Sequence, residues 1–141
     1  MERDDQRADD GHGGKANDFD GEHELQIRML NAFRAAVARG DDKATLAGLF
    51  DNLIEFTTVH FMSEQVLMRF YSYPGFDAHQ QEHDQVLEQL DEMDARFRAG
   101  DEAMTAAVAD HVQRLLVEHI GRADQALATF IGQQATAGAG E

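Results

Sequence analysis

Residues 77–83 read D-A-H-Q-Q-E-H and set His79 and His83 four residues apart. His60 and Glu64 stand at the same spacing in H-F-M-S-E. Residues i and i+4 share one face of a helix, so each pair can aim two ligands at one point. Imidazole with carboxylate suits iron, zinc, copper or manganese. The chain has no cysteine. That excludes a thiolate metal site, a disulfide framework and a cysteine nucleophile. Any metal held here must be held by nitrogen and oxygen.

The elements that carry these residues follow from composition and periodicity. The 141 residues suffice for one domain. A single proline and abundant Ala, Leu, Glu, Asp and Gln favour helix throughout. Residues 1–17 hold almost no apolar side chain, which predicts a flexible acidic tail with His12 inside it. A first helix is expected from Asp20, as N-cap, to Arg39-Gly40. Its stripe is His23, Ile27, Leu30, Phe33, Arg34 and Val37. A second starts after Asp41 or Asp42 and runs until Tyr73-Pro74-Gly75 stops it. It lines up Leu46, Leu49, Phe50, Leu53, Thr57, His60, Glu64, Leu67, Met68 and Tyr71. A third is capped by Asp77, with Gln80 completing a capping box, and closes at Gly100. It points His79, His83, Val86, Leu87, Leu90, Met93 and Phe97 inward. A fourth, capped by Asp101, is lined by Met104, Val108, His111, Val112, Leu115, His119, Ile120, Leu127 and Phe130. Residues 132–141 are rich in Gly, Ala and Gln and are expected to fray. Short connections make neighbours antiparallel. The fold class is therefore all-α: an up-down-up-down four-helix bundle over residues 18–131.

That bundle buries His23, His60, Glu64, His79, His83 and His119. A buried polar group left unpaired costs about 1–3 kcal/mol, against a net stability of about 5–15 kcal/mol. Five imidazoles cannot satisfy one another, whereas a cation can satisfy them all. Antiparallel geometry sets His23 opposite His60 and Glu64, and His79 and His83 opposite His119. The five histidines thus collect toward one end of the bundle. His111 lies two turns before His119, about 12 Å away by helical rise, and reads as structural or partly exposed.

Charge narrows the partners. Against 27 Asp+Glu stand 12 Lys+Arg, a net of −15. Phosphate recognition needs clustered cations, so DNA and RNA are disfavoured, as is an anionic membrane surface. No apolar run approaches the roughly 18 residues of a membrane span. The acidic N-terminus does not read as a secretory signal, and the cytoplasm is the expected compartment.

The pattern as a whole runs D-x-x-H (Asp20, His23), with Asn31 eight residues after that histidine, and H-x-x-x-E (His60, Glu64). It continues Y-P (Tyr73, Pro74), H-x-x-x-H (His79, His83) and H-I-x-x-x-D (His119, Ile120, Asp124). This resembles the hemerythrin family in its bacterial single-domain form, over residues from about 18 to 131. The resemblance implies a non-haem di-iron centre, two Fe ions with an oxo or hydroxo bridge. It implies reversible O2 binding, for transport, storage or scavenging. By position, it implies His79, His83 and His119 on one iron and His23 and His60 on the other. Glu64 and Asp124 would bridge the two. Asp124 enters only through the resemblance, because five residues is about 140° round an ideal helix. A π-type widening, or a carboxylate reaching in from the side, would reconcile it.

An unequal ligand split leaves one iron an open position for O2, nitric oxide or a small anion. Carboxylate-rich di-iron bundles carry Glu-x-x-His pairs, and no such pair lies on these inward stripes. Fewer anionic ligands stabilise ferric iron less, which favours release of O2. Two departures from the family stand out. Gln26 replaces the usual large apolar residue three after His23 and would sit at the rim of the O2 pocket. Leu115 stands where Trp is frequent. Phe61 and Leu116 are candidate pocket walls, with core packing as the other reading. Alternative functions are a di-iron redox enzyme acting on peroxide or nitric oxide, and an O2 or redox sensor. The expected state is a monomer or weak oligomer.

Overall fold

The computed structural model describes residues 15–140, and the side chains of residues 21–135. The helices are α1 Lys15–Arg39, α2 Lys43–Phe70, α3 Phe76–Ala99, α4 Ala106–His119 and α5 Gln125–Gly140. A π-helical turn, Ile120–Asp124, joins α4 to α5, so these run on as one rod. α1 packs on α2 and α4, and α3 packs on the same two. The result is the up-down-up-down four-helix bundle.

Helix ends explain why the connections are short. Gly40 and Gly100 adopt the left-handed conformation, with φ of 75° and 84°. The amides of Gly40 and Asp41 bond the carbonyls of Val37 and Ala36, each at 3.1 Å. Those of Gly100 and Asp101 bond Phe97 and Arg96 at 3.1 and 2.9 Å. Both are Schellman closures, which glycine permits because it has no Cβ. α2 ends the same way on Ser72, at φ 52°. The turn after it closes on Gly75, where an added Cβ would lie 2.9 Å from the Tyr73 ring.

Caps follow the expectation at one helix and depart from it at three. Asp42 caps α2, accepting from the Thr45 amide at 2.8 Å. α1 starts at Lys15, five residues ahead of Asp20, because no breaker interrupts residues 15–20. Residues 1–14, with His12, lie outside the described residues. Asp77 does not cap α3: Gly75 occupies that position without a side-chain bond, and Asp77 sits inside the first turn. Gln80 bonds Asp84 instead of closing a capping box. Asp101 does not cap α4: its amide closes α3, and α4 begins only at Ala106. Thr105 caps it, accepting from the Val108 amide at 3.3 Å. At the far end α5 runs on to Gly140, beyond the point where fraying is expected.

The apolar interior has two parts. The larger is built on Leu30, Phe33, Phe50, Leu53, Leu90, Phe97 and Val112, with Phe33 and Phe50 stacked at 5.2 Å. A smaller cluster of Met68, Leu127 and Ile131 packs with Tyr71, Tyr73, Phe76 and Phe130. The polar residues of the inward stripes lie between these clusters, screened from water on both sides. His111 is exposed, so it belongs to neither.

Candidate metal centre

Four rods deliver seven side chains to one place. His23 comes from α1, His60 and Glu64 from α2, and His79 and His83 from α3. His119 is the last residue of α4, and Asp124 ends the π turn. The wider turn accommodates the five-residue spacing, and Asp124 is fully buried on the His119 face. His60, Glu64, His79, His83 and His119 are buried as well, and His23 is partly so.

The two carboxylates divide the histidines between them. Glu64 Oε1 lies 2.9 Å from His79 Nε2 and 2.7 Å from His83 Nε2. Its Oε2 lies 3.0 Å from His60 Nε2. Asp124 Oδ1 lies 2.7 Å from His119 Nε2 and 3.3 Å from His79 Nε2. Its Oδ2 faces His23 Nε2 at 2.9 Å and His60 Nε2 at 3.0 Å. Each carboxylate therefore offers one oxygen to each side. Ligand atoms of Glu64, His79, His83, His119 and Asp124 fall within 4.8 Å of one another, and so do those of His23, His60, Glu64 and Asp124. The two sets share only Glu64 and Asp124.

The donors fit a pair of metal ions better than they fit each other. Glu64 Oε2, Asp124 Oδ1 and His119 Nε2 are buried at the centre and make no hydrogen bond of acceptable geometry. Such orphaned atoms are costly unless a cation satisfies them. The electrostatics agree. Burial pushes His60 and His119 down, but the Asp124 and Glu64 carboxylates outweigh it and raise both to about 10. Burial likewise works to raise Glu64 and Asp124, yet the surrounding imidazoles hold both below the usual carboxylate range. His79 is raised, while burial, with His79 and His119 as neighbours, lowers His83. The site is an anionic focus ringed by nitrogen donors.

The sequence model of the family described as hemerythrin HHE cation binding domain matches residues 15–131. The chain belongs to the hemerythrin family. It is 28% identical over 106 residues to a bacteriohemerythrin of Methylococcus capsulatus, covering 75% of this chain and 80% of that protein. It is 30% identical over 110 residues to one of Stenotrophomonas maltophilia, covering 78% and 71%. A crystal structure of wild-type hemerythrin superposes with a TM-score of 0.75 at 26% identity, over 80% of this chain and 86% of that one.

In this hemerythrin-family bundle, two further carboxylates stand behind the histidines. Glu22, on α1, pairs with His60 Nδ1 on α2. Glu82, on α3, lies 3.1 Å from His119 Nδ1 on α4, close but without a hydrogen bond of acceptable geometry, and Arg122 grips both Glu82 oxygens at 3.2 and 3.0 Å. A carboxylate on the outer nitrogen fixes the ring's tautomer and aim. Neither carboxylate falls on an inward stripe of the sequence. The dipeptide E-H recurs at 22–23, 82–83 and 118–119, and that repetition was the available signal. One residue is about 100° of helix, so the Glu beside one ligand turns toward the ligand of the next helix. Glu82→Ala is expected to weaken iron retention about 10–100-fold, read by competition with a chelator. Superimposable competition curves for variant and parent would rule that role out.

Gln26 is buried one turn from His23. Its Nε2 donates to Thr57 Oγ1 at 2.8 Å, and that hydroxyl donates to the Leu53 carbonyl at 2.8 Å. The amide is thus tied across α1 and α2. Phe61 stacks on His83 with ring centroids 3.7 Å apart and meets His119 edge-on at 5.0 Å. Leu116 is buried one turn before His119. Both also belong to the larger apolar cluster, so they line the site's edge and the core at once.

Proposed function

We propose that this chain binds dioxygen reversibly at a non-haem di-iron centre, as a carrier, store or scavenger of O2 rather than as a catalyst. One observation carries the reading: two overlapping donor sets, three histidines on one side and two on the other, share a pair of carboxylates. Two ferrous ions, if held there, would supply the two electrons that O2 takes up and returns. His79, His83 and His119 would hold one ion, and His23 and His60 the other, with Glu64 and Asp124 between them. Five neutral imidazoles and only two anions restrain the stability of the oxidised state, which favours release. The apolar clusters on either side exclude water. The functional unit is the bundle, residues 18–131, which supplies all seven of these ligands. The acidic charge supports a setting without nucleic acid.

Anaerobic reconstitution with ferrous iron, admission of O2 and degassing test the reading. Colour that appears and then bleaches supports a carrier. Iron analysis well under two per chain would defeat the assignment.

The buried amide of Gln26 favours a second reading, a di-iron enzyme acting on peroxide or nitric oxide. A polar group beside His23 would admit water or donate a hydrogen bond at the open position. Gln26→Leu is expected to lengthen the life of the oxygenated form several-fold. Thr57 keeps its bond to the Leu53 carbonyl, so the melting temperature should hardly move. Equal decay rates for parent and variant would sink the idea that Gln26 reaches the ligand pocket.

A further inference from the structure

α2 has two unlike faces. Leu53, Thr57, His60 and Glu64 point inward and are buried. Val59, Met62, Val66 and Phe70 point outward and are 56, 59, 66 and 74% exposed. At 100° per residue these four fall within about 80° of arc and form a stripe roughly 16 Å long. A solvated helix face is ordinarily polar there. Single exposed apolar residues are commonplace, whereas a contiguous row marks a contact surface.

The ends of the stripe name its occupant. Glu55 lies one turn before Val59, and Arg69 adjoins Phe70; both are exposed and fall on or beside the same arc. Glu55 makes no ion pair among the described residues. Arg69 is seated over the Phe76 ring, 5.5 Å from its centroid, which holds its stem at the stripe's end. The stripe is therefore negative at its N-terminal end and positive at its C-terminal end. An antiparallel second copy of the same helix matches both ends at once, and a partner of one sign matches only one. Residues 1–14 offer only Met1 and Ala8 as apolar side chains, so the chain's own leading segment does not suit the stripe. The net charge of −15 opposes an anionic lipid surface.

We propose that the outer face of α2 is a self-complementary interface at which two copies of this chain pair about a two-fold axis. Glu55 of each copy sits beside Arg69 of the other. Met62 is midway between them and falls near the axis, where its flexible thioether adapts to its own image. Val59 of one copy then packs near Val66 of the other. Such a contact is isologous and closes on itself, giving a dimer and not a fibre. A stripe of four side chains is small beside the roughly 800 Å² per partner of a standard interface, and the two chains repel at long range, so the dimer is weak. The proposal rests on the outer face alone and does not depend on the oxygen-binding reading.

Sedimentation of the full chain over a wide concentration range tests it, with and without iron. The parent should move from one chain mass toward two as concentration rises. Met62→Glu places like charges across the axis, and Val66→Glu a charge in the apolar contact; each should weaken pairing about tenfold or more. Glu55→Arg alone should weaken it, and Glu55→Arg combined with Arg69→Glu should restore it. Circular dichroism and iron content should stay at parental values throughout. A single chain mass at every concentration overturns the proposal, even if the stripe then binds lipid vesicles. Pairing that ignores Met62→Glu and Val66→Glu overturns it too.

Discussion

Glu64→Ala and Asp124→Ala should each lower bound iron from about two ions per chain to fewer than one and abolish the oxygen-dependent colour. Each carboxylate gives one oxygen to the three-histidine side and one to the two-histidine side, so a single truncation takes an anionic ligand from both. His23→Ala touches only the second set and should leave about one ion, held by His79, His83 and His119 with the carboxylates. The order of loss separates a shared bridge from two independent sites. The truncations should also destabilise the iron-free fold. Glu64 and Asp124 counterbalance buried imidazoles, and breaking a buried pair costs about 3–5 kcal/mol because it strands the other charge. Elemental analysis and thermal melts of the same preparations read both effects. A Glu64→Ala protein that still holds two irons would remove the bridging role.

Stripping the iron should produce a chain whose stability falls as pH rises, and reloading should oppose that trend. His60 and His119 are raised to about 10 in the folded chain by Asp124 and Glu64. An unfolded imidazole titrates near 6.5. Their stabilisation is therefore complete below pH about 6.5 and is lost as pH rises through about 10. Glu64 and Asp124 are held below the usual carboxylate range by the imidazoles around them. Theirs is complete above the unfolded value near pH 4 to 4.5 and is lost as pH falls further. His83 is lowered, which runs the other way, but two histidines carry large upward shifts against its one. The iron-free chain should thus melt highest between about pH 5 and 6.5 and distinctly lower by pH 9. Metal binding needs neutral imidazoles and releases their protons, so iron affinity rises with pH. The gap in melting temperature between loaded and stripped protein should widen from pH 6 to 9. A stripped chain that melts higher at pH 9 than at pH 6 would contradict the charge arrangement.

Much of this was legible along the chain. Apolar spacing predicts most of the four inward stripes, because a helix face repeats every three or four residues whatever surrounds it, but Ile27 and His111 turn out to be exposed and Gln26 is buried on α1 instead. Gly40, Gly100 and the Tyr73-Pro74-Gly75 turn mark their ends for local reasons of φ and lost donors. The pairs His60/Glu64 and His79/His83 are each one helical turn apart, so their convergence needs no tertiary information. Two expected caps failed because the helices begin elsewhere: α4 starts only at Ala106, beyond Asp101, and the turn at Gly75 runs straight into α3 ahead of Asp77.

What the sequence by itself determined about this protein is the number of helices, their inward faces and the residue types that meet there. Those are properties of short segments, fixed by period and by conformational preference. Only the tertiary structure decided which atoms meet. The π turn swings Asp124 onto the His119 face, against the 140° that an ideal helix would impose. Glu22 and Glu82 face histidines on neighbouring helices, and Gln26 finds Thr57 across the α1–α2 seam. The outer stripe of α2, Val59, Met62, Val66 and Phe70, is exposed although apolar. It stays bare because the bundle covers α2 from one side only, and a helix cannot bury both faces in a single layer of four.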